Sequence, residues 1–364
     1  IQDNQGGHSS FPTRQLNELL TTEDYYPDSE MSVCNREDSQ KASSGPLAAL
    51  YSLLFTAGLL GNVLVVLVLA VHKKQRSTTD VYLLNLAVAD LLFVLCLPFL
   101  VHDYLDQWVF GNWMCKLVSG VHYLGFFSSV FFITLMSVDR YLAIVHAVYA
   151  LKVRTASRGV GVSLAVWSLA LLASTPAVFF YESFFEDGAW KCYLAPSEGS
   201  NRWKLFTNFE IHLLGLLIPP GILTYCYAHI LRQLRRCQNH NREKAIRLVL
   251  VVVVAFFVFW TPFNVVLFLD SLHRLGKLGD CGVIQKLDRA IWTTEALCHS
   301  HCCVNPAIYA FVGERFRKHL AEMFRRFRCP LSACPDGRVL REPREGSQSL
   351  PSASSRSSGS DCIL

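Results

Sequence analysis

Asp139-Arg140-Tyr141 is the triplet with the most chemistry to offer. It closes an apolar run, Leu117 to Val138, and is followed by Leu142-Ala143-Ile144-Val145. Ionised side chains at the end of a membrane-length segment are costly unless they lie at the water boundary and have work to do. Their chemistry is not bond making. An acid beside a guanidinium forms an ion pair that can be closed or released. Two further strings, Trp260-Thr261-Pro262 and Asn305-Pro306-Ala307-Ile308-Tyr309, each set a proline beside aromatic side chains within an apolar run. Asn62 and Asp90 are polar groups at membrane depth, and such groups face a bundle interior, where Ser129 and His301 are further candidates. No nucleophile–base set, paired CxxC motif or His spacing for zinc occurs, which argues against an enzyme and against a structural metal.

These groups need elements to hold them. The chain has 364 residues, 51% of them hydrophobic, and a mean hydropathy of +0.28, too apolar for an ordinary soluble protein. Apolar stretches of crossing length, about 20 residues each, recur over 47–72, 80–105, 113–138, 158–181, 205–231, 246–270 and 287–312. The runs are continuous and do not alternate, so they read as helices rather than barrel strands. The expected fold is an all-α membrane protein, a seven-transmembrane helix bundle with a short amphipathic cytoplasmic helix.

Charge orients the bundle. Residues 1–46 hold eight acidic side chains against three basic ones, while residues 313–364 hold ten basic against six acidic. Basic residues also gather between spans, at Lys73, Lys74 and Arg76, at Lys152, Arg154 and Arg158, and from Arg232 to Arg247. The positive-inside rule assigns those loops and the C-terminus to the cytoplasm and the acidic N-terminus to the outside. Residues 1–46 lack the apolar h-region of a signal segment, so the first span is expected to direct insertion. No Asn-x-Ser/Thr sequon occurs.

Four domains follow: an acidic disordered tail over 1–46, the bundle over 47–312, a membrane-surface helix over 313–328 and a Ser-rich tail over 329–364. In the first tail, Tyr25 and Tyr26 stand among Glu23, Asp24 and Asp28, a context that favours tyrosine sulfation and suits docking of a basic protein. Four cysteines fall on the outer side, Cys34, Cys115, Cys192 and Cys281, and allow three pairings. Glu314 to Arg328 is basic, with Phe316, Leu320, Met323, Phe324 and Phe327 at helical spacing, as in a helix lying on the inner leaflet. Cys329 and Cys334 beyond it are candidate palmitoylation sites, and Ser354, Ser355, Ser357 and Ser358 candidate phosphorylation sites. Cys362 is third from the end, which does not fit prenylation.

The joint placement of Asp139-Arg140-Tyr141, Trp260-Thr261-Pro262 and Asn305 to Tyr309 in three of seven spans resembles the rhodopsin-class G-protein-coupled receptors. Asp80 to Ala87, Gln107 to Gly111, Asp139 to Ala147 and His301 to Phe311 are similar to the CC chemokine receptors, and the likeness runs over about residues 45–328. The resemblance implies disulfides Cys115–Cys192 and Cys34–Cys281. It implies a plasma-membrane receptor, multi-pass, for a basic CC chemokine that docks on the acidic tail and sends its N-terminus into a pocket. Tyr51, Trp108, His122, Tyr123 and Glu295 are expected at that pocket's mouth, with Glu295 meeting a cationic terminus.

The same resemblance implies a switch built from Asp139, Arg140, Tyr141, Tyr227, Trp260, Pro262, Asn305, Pro306 and Tyr309. It implies coupling to an inhibitory-class heterotrimeric G protein, leukocyte chemotaxis, and handling of the Ser-rich tail by a receptor kinase and an arrestin. Nucleic acid is not an expected partner. Asp90 and Ser129 match a sodium site of the wider class, but His301 and Cys302 replace the Asn and Ser frequent beside it, which argues against the ion. His122 stands where an amine receptor would carry Asp, and Ile291 to Phe311 has no Lys for retinal. The alternatives are a scavenging chemokine receptor and a small-peptide chemoattractant receptor. A transporter would need internal repeats and midplane charge, neither of which is present.

Overall fold

The computed structural model describes residues 37–71, 77–186, 188–194, 200–236, 240–276, 281–312 and 314–328. Tyr25, Tyr26, Cys34, Cys329, Cys334 and Ser354 to Ser358 lie outside the described residues, as do the side chains of Cys281 and Tyr309. Among the described residues, eleven α-helices and one hairpin are found: α1 (Glu37–Val71), α2 (Thr78–Leu105), α3 (Gly111–Val145), α4 (Ala147–Val153), α5 (Ala156–Phe180), β1 (Tyr181–Glu186), β2 (Ala189–Leu194), α6 (Ser200–Glu210), α7 (Ile218–Arg236), α8 (His240–Arg274), α9 (Cys281–His299), α10 (His301–Val312) and α11 (Glu314–Arg328).

Among the described residues, six helical stretches are long and apolar enough to cross a membrane: Gly45–Ala70, Thr78–Leu105, Gly111–Val145, Ala156–Phe180, Arg202–Gln233 and Val253–Arg274. Their outer faces carry the surface expected in lipid. On α1, Leu53, Leu60 and Leu67 recur every seventh residue and are exposed, while Leu54, Asn62, Val65 and Val68 are buried against the bundle. Without a hydrophobic drive between helices in lipid, close packing and hydrogen bonds hold them together. Gly125 allows one such approach, because a Cβ there would lie 2.9 Å from the Phe93 nitrogen and 3.1 Å from the Ala89 carbonyl. Asn85 and Trp167 supply another, the indole of α5 donating to the amide of α2 at 2.8 Å. Helix α3 runs through the middle and touches α2, α5, α7 and α8.

Four features depart from a plain reading of apolar runs. Helix α1 starts at Glu37, before the apolar run and inside the stretch expected to be a disordered tail. The fifth span is not one α-helix: Ile211–Leu217 is π-helical between α6 and α7, just before Pro219-Pro220. The seventh is broken at Ser300 between α9 and α10. Finally, the fold is not purely helical, because β1 and β2 pair antiparallel with Ser183 opposite Cys192. Gly188 turns this hairpin with a φ of 80°, a conformation that a side chain disfavours.

Helix α11 meets α1 and α10. Phe316 and Met323 are buried in the main core and Leu320 packs against it, so the apolar side of this basic helix faces the bundle.

Candidate functional site

The hairpin roofs one end of the bundle. Cys192 of β2 is disulfide-bonded to Cys115 in the first turns of α3, with Cα atoms 5.6 Å apart. Gln107 and Trp108 hold the same strand from the α2–α3 link: the Trp108 N–H donates to the Trp190 carbonyl at 2.8 Å, and Gln107 Oε1 accepts the Trp190 N–H at 3.1 Å. Asn112 Oδ1 accepts the Ser183 N–H at 3.0 Å and so ties β1 down as well.

Beneath this roof lies a cavity of about 460 Å³. Its wall includes Trp108, His122, Tyr123, Tyr181, Trp260 and Glu295, drawn from five parts of the chain. Tyr104 Oη donates to Glu295 Oε2 at 3.3 Å, setting the carboxylate against α2. Tyr123 and Tyr181 share a hydrogen bond at 3.2 Å. Trp260 closes the floor, with its ring centroid 4.2 Å from that of Phe126 and 5.7 Å from that of Phe256.

One expectation needs correction. Tyr51 does not line the cavity: it is fully buried and stacks on Tyr104 with centroids 5.6 Å apart, so it backs the residue that holds Glu295. Trp108 reaches the cavity wall but is only 2% exposed, and its indole N–H is engaged by the Gly111 carbonyl at 2.9 Å. It packs on Phe110 and fixes the hairpin. His299, one turn below Glu295, is a neighbour that the expected pocket set omitted: its ring lies 5.2 Å from that of His122 and 4.8 Å from that of Phe93.

Midway down, Asp90 is wholly buried. Ser129 Oγ donates to its Oδ1 at 2.9 Å and Asn305 Nδ2 to its Oδ2 at 2.7 Å, while His301 Nε2 stands 3.8 Å from Oδ1. Asn62 Nδ2 donates to the carbonyls of Gly58 and Cys302, both at 2.9 Å. The second bond has a clear cause: Pro306 has no N–H, so the Cys302 carbonyl lacks its helical donor and Asn62 supplies one. A sodium ion does not fit this set. Hard cations want several oxygen ligands, and around Asp90 the structure offers one hydroxyl, an amide donor, an imidazole and the thiol of Cys302, which is turned to the His299 carbonyl at 3.0 Å.

At the opposite end from the hairpin, Asp139 is buried and holds two guanidinium groups. Arg140 Nη2 lies 3.2 Å from Oδ2, and Arg154 Nε and Nη2 donate to Oδ1 and Oδ2 at 2.8 and 3.0 Å. Thr79 joins them, donating to Asp139 at 3.3 Å and accepting from Arg140. In the sequence nothing marks Arg154 as a partner of Asp139. Tyr141 points elsewhere, to His146 Nε2 at 3.0 Å. Tyr227 is buried in α7, and Pro262 and Pro306 lie within α8 and α10.

Comparison with known proteins decides the family. The 7 transmembrane receptor (rhodopsin family) profile matches residues 61–309. C-C chemokine receptor type 8 of Homo sapiens is 54% identical over 352 residues, covering 97% of this chain and 99% of that protein. The chain belongs to the C–C chemokine receptors. The type 8 receptor of Mus musculus is 59% identical over 307 residues, 84% of this chain and 87% of that one, and the human type 4 receptor is 47% identical over 310 residues, 85% and 86%. Ser77-Thr78-Thr79-Asp80, Leu105 to Trp108, Val145 to Arg154 and Arg236 to Asn241 read as similar to type 8, with type 4 a near competitor, and the type 8 identities exceed that of type 4. It is a membrane-spanning receptor and not an enzyme.

Proposed function

We propose that this receptor binds a basic CC chemokine at two sites on the cell surface and signals through an inhibitory-class heterotrimeric G protein to drive leukocyte chemotaxis. The observation that carries this reading is the roofed cavity with the Glu295 carboxylate on its wall and Trp260 on its floor. A half-buried carboxylate on a wall shared with aromatic and aliphatic side chains is a partner for a cationic ligand terminus. The acidic tail, with Tyr25 and Tyr26, first meets the chemokine core, and a Cys34–Cys281 bridge ties that tail to α9. The hairpin end and the N-terminus face outward, as the basic loops argue.

Occupancy of the cavity acts on His122, Tyr123 and Trp260, and α8 hinges at Pro262. Arg140 leaves Asp139 and the end of α8 away from the hairpin swings outward, opening a crevice for the G protein. Tyr227, Tyr309 and Asn305-Pro306 accompany that change. The receptor kinase and arrestin act on Ser354 to Ser358, and Cys329 and Cys334 take palmitate.

Glu295→Gln tests the carboxylate role. It keeps shape and removes charge, so chemokine potency in a cyclic AMP inhibition assay should fall while tail-dependent binding persists. Unchanged potency at equal surface expression would refute it.

A further inference from the structure

A polar seam joins α6 and the π-helical stretch to α8, and the switch described above does not use it. Two rungs form it. Asn208 Nδ2 donates to Ser271 Oγ at 2.9 Å, and Ser271 Oγ donates on to the Leu267 carbonyl at 2.9 Å. His212 Nδ1 lies 3.1 Å from Asn264 Oδ1, and Asn264 Nδ2 donates on to the Trp260 carbonyl at 3.0 Å. The second bond fixes the amide orientation, so Asn264 Oδ1 can only accept and His212 Nδ1 carries the proton.

All four side chains are buried. In an apolar wall such groups are retained only against partners, and they fix register and rotation more than they add stability. The π-helical stretch is part of the device, because its wider turn changes which side chains face α8, and it begins at Ile211 beside His212. Three of the four, His212, Asn264 and Ser271, stand outside the cavity wall, so ligand contact does not explain them. Both rungs sit on the Cys115–Cys192 side of Pro262. On the other side α8 contributes apolar side chains, Val253 and Phe256, to a cluster with Leu223 and Ile230 of α7.

We infer that His212–Asn264 and Asn208–Ser271 anchor the hairpin-side half of α8 to the fifth span and thereby position Trp260, so that ligand entry moves the other half about Pro262 instead of tilting the whole helix. His212, Asn264 and Ser271 are positioning residues that act through Trp260. The inference rests on the signalling reading above.

The test uses full-length receptor in lipid nanodiscs with purified inhibitory-class G protein and a chemokine that activates the unsubstituted receptor. Chemokine affinity is measured without G protein, and maximal nucleotide exchange with it. His212→Ala and Asn264→Ala are expected to keep affinity and to lose roughly fivefold or more of maximal exchange. The exchanged pair His212→Asn with Asn264→His restores the rung with partners reversed and should recover exchange, which a merely structural defect would not. If either alanine variant does not reach the membrane, Ser271→Ala carries the same prediction through the other rung. Full exchange in these variants, or affinity and exchange falling together, would overturn the inference. An unsubstituted receptor that binds chemokine without driving exchange would instead remove the signalling reading beneath it.

Discussion

Arg154 grips Asp139 through both carboxylate oxygens, at 2.8 and 3.0 Å, while Arg140, the neighbour of Asp139 in sequence, reaches one oxygen at 3.2 Å. The side-on guanidinium contact is the stronger geometry. Asp139 is thus shared, and Arg154 competes with Arg140 for the same charge. Loss of Arg154 leaves Arg140 with a carboxylate of its own. Arg154→Ala should lower maximal nucleotide exchange without changing chemokine affinity. Thermal unfolding of purified receptor should show a loss of about 1–3 kcal/mol, the range for removing a partner from a buried polar group. Arg154→Lys should fall between, since an ammonium cannot reproduce the fork. An exchange rate equal to that of the unsubstituted receptor would exclude the competition.

Tyr104 holds Glu295 by a single hydrogen bond of 3.3 Å. Tyr104→Phe keeps the ring stacked on Tyr51 and removes only the hydroxyl. Chemokine potency should drop by up to about tenfold, the equivalent of one modest hydrogen bond, and less than in Glu295→Gln. Dose–response curves for the two variants at matched expression test the order.

The Asn62–Cys302 contact is a repair of the backbone beside Pro306. Asn62→Leu removes it and leaves the carbonyl buried without a donor, at a cost of about 1–3 kcal/mol. A thermal shift assay on purified protein should show the loss with or without chemokine. Gly125→Val should be harsher on surface expression, because the added atoms meet the Phe93 nitrogen and Ala89 carbonyl, which cannot rotate away.

The polar set around Asp90 argues against sodium regulation. Chemokine affinity measured in sodium chloride and in potassium chloride of equal ionic strength should coincide. A selective fall in sodium would mean that water and the Ser129 hydroxyl complete a site after all.

Much of this architecture was legible because membrane spans announce themselves by apolar length, and because Pro262 and Pro306 fall inside two of them. The polar residues Asn62, Asp90, Ser129 and Asn305 were recognisable singly, since each is out of place at membrane depth. Their pairing was not legible: Asn62 meets a carbonyl 240 residues away, and only the missing N–H of Pro306 hinted that one was available. The hairpin escaped notice because Tyr181–Glu186 and Ala189–Leu194 are short strands in a loop, held by Gln107, Asn112 and a disulfide rather than by a periodic pattern. Arg154 read as one more loop charge, since nothing local marks a side chain whose partner lies across a turn. Helix position alone does not tell a lining residue such as Tyr123 from one that stands behind the wall, such as Tyr51.

The central claim is that this chain is a signalling receptor for CC chemokines, and the most direct measurement is inhibition of cyclic AMP in cells expressing it, across a panel of purified CC chemokines. The account predicts a response to one or two of them that Arg140→Ala abolishes with surface expression intact. Binding and internalisation without any such response would contradict it and identify a scavenger instead.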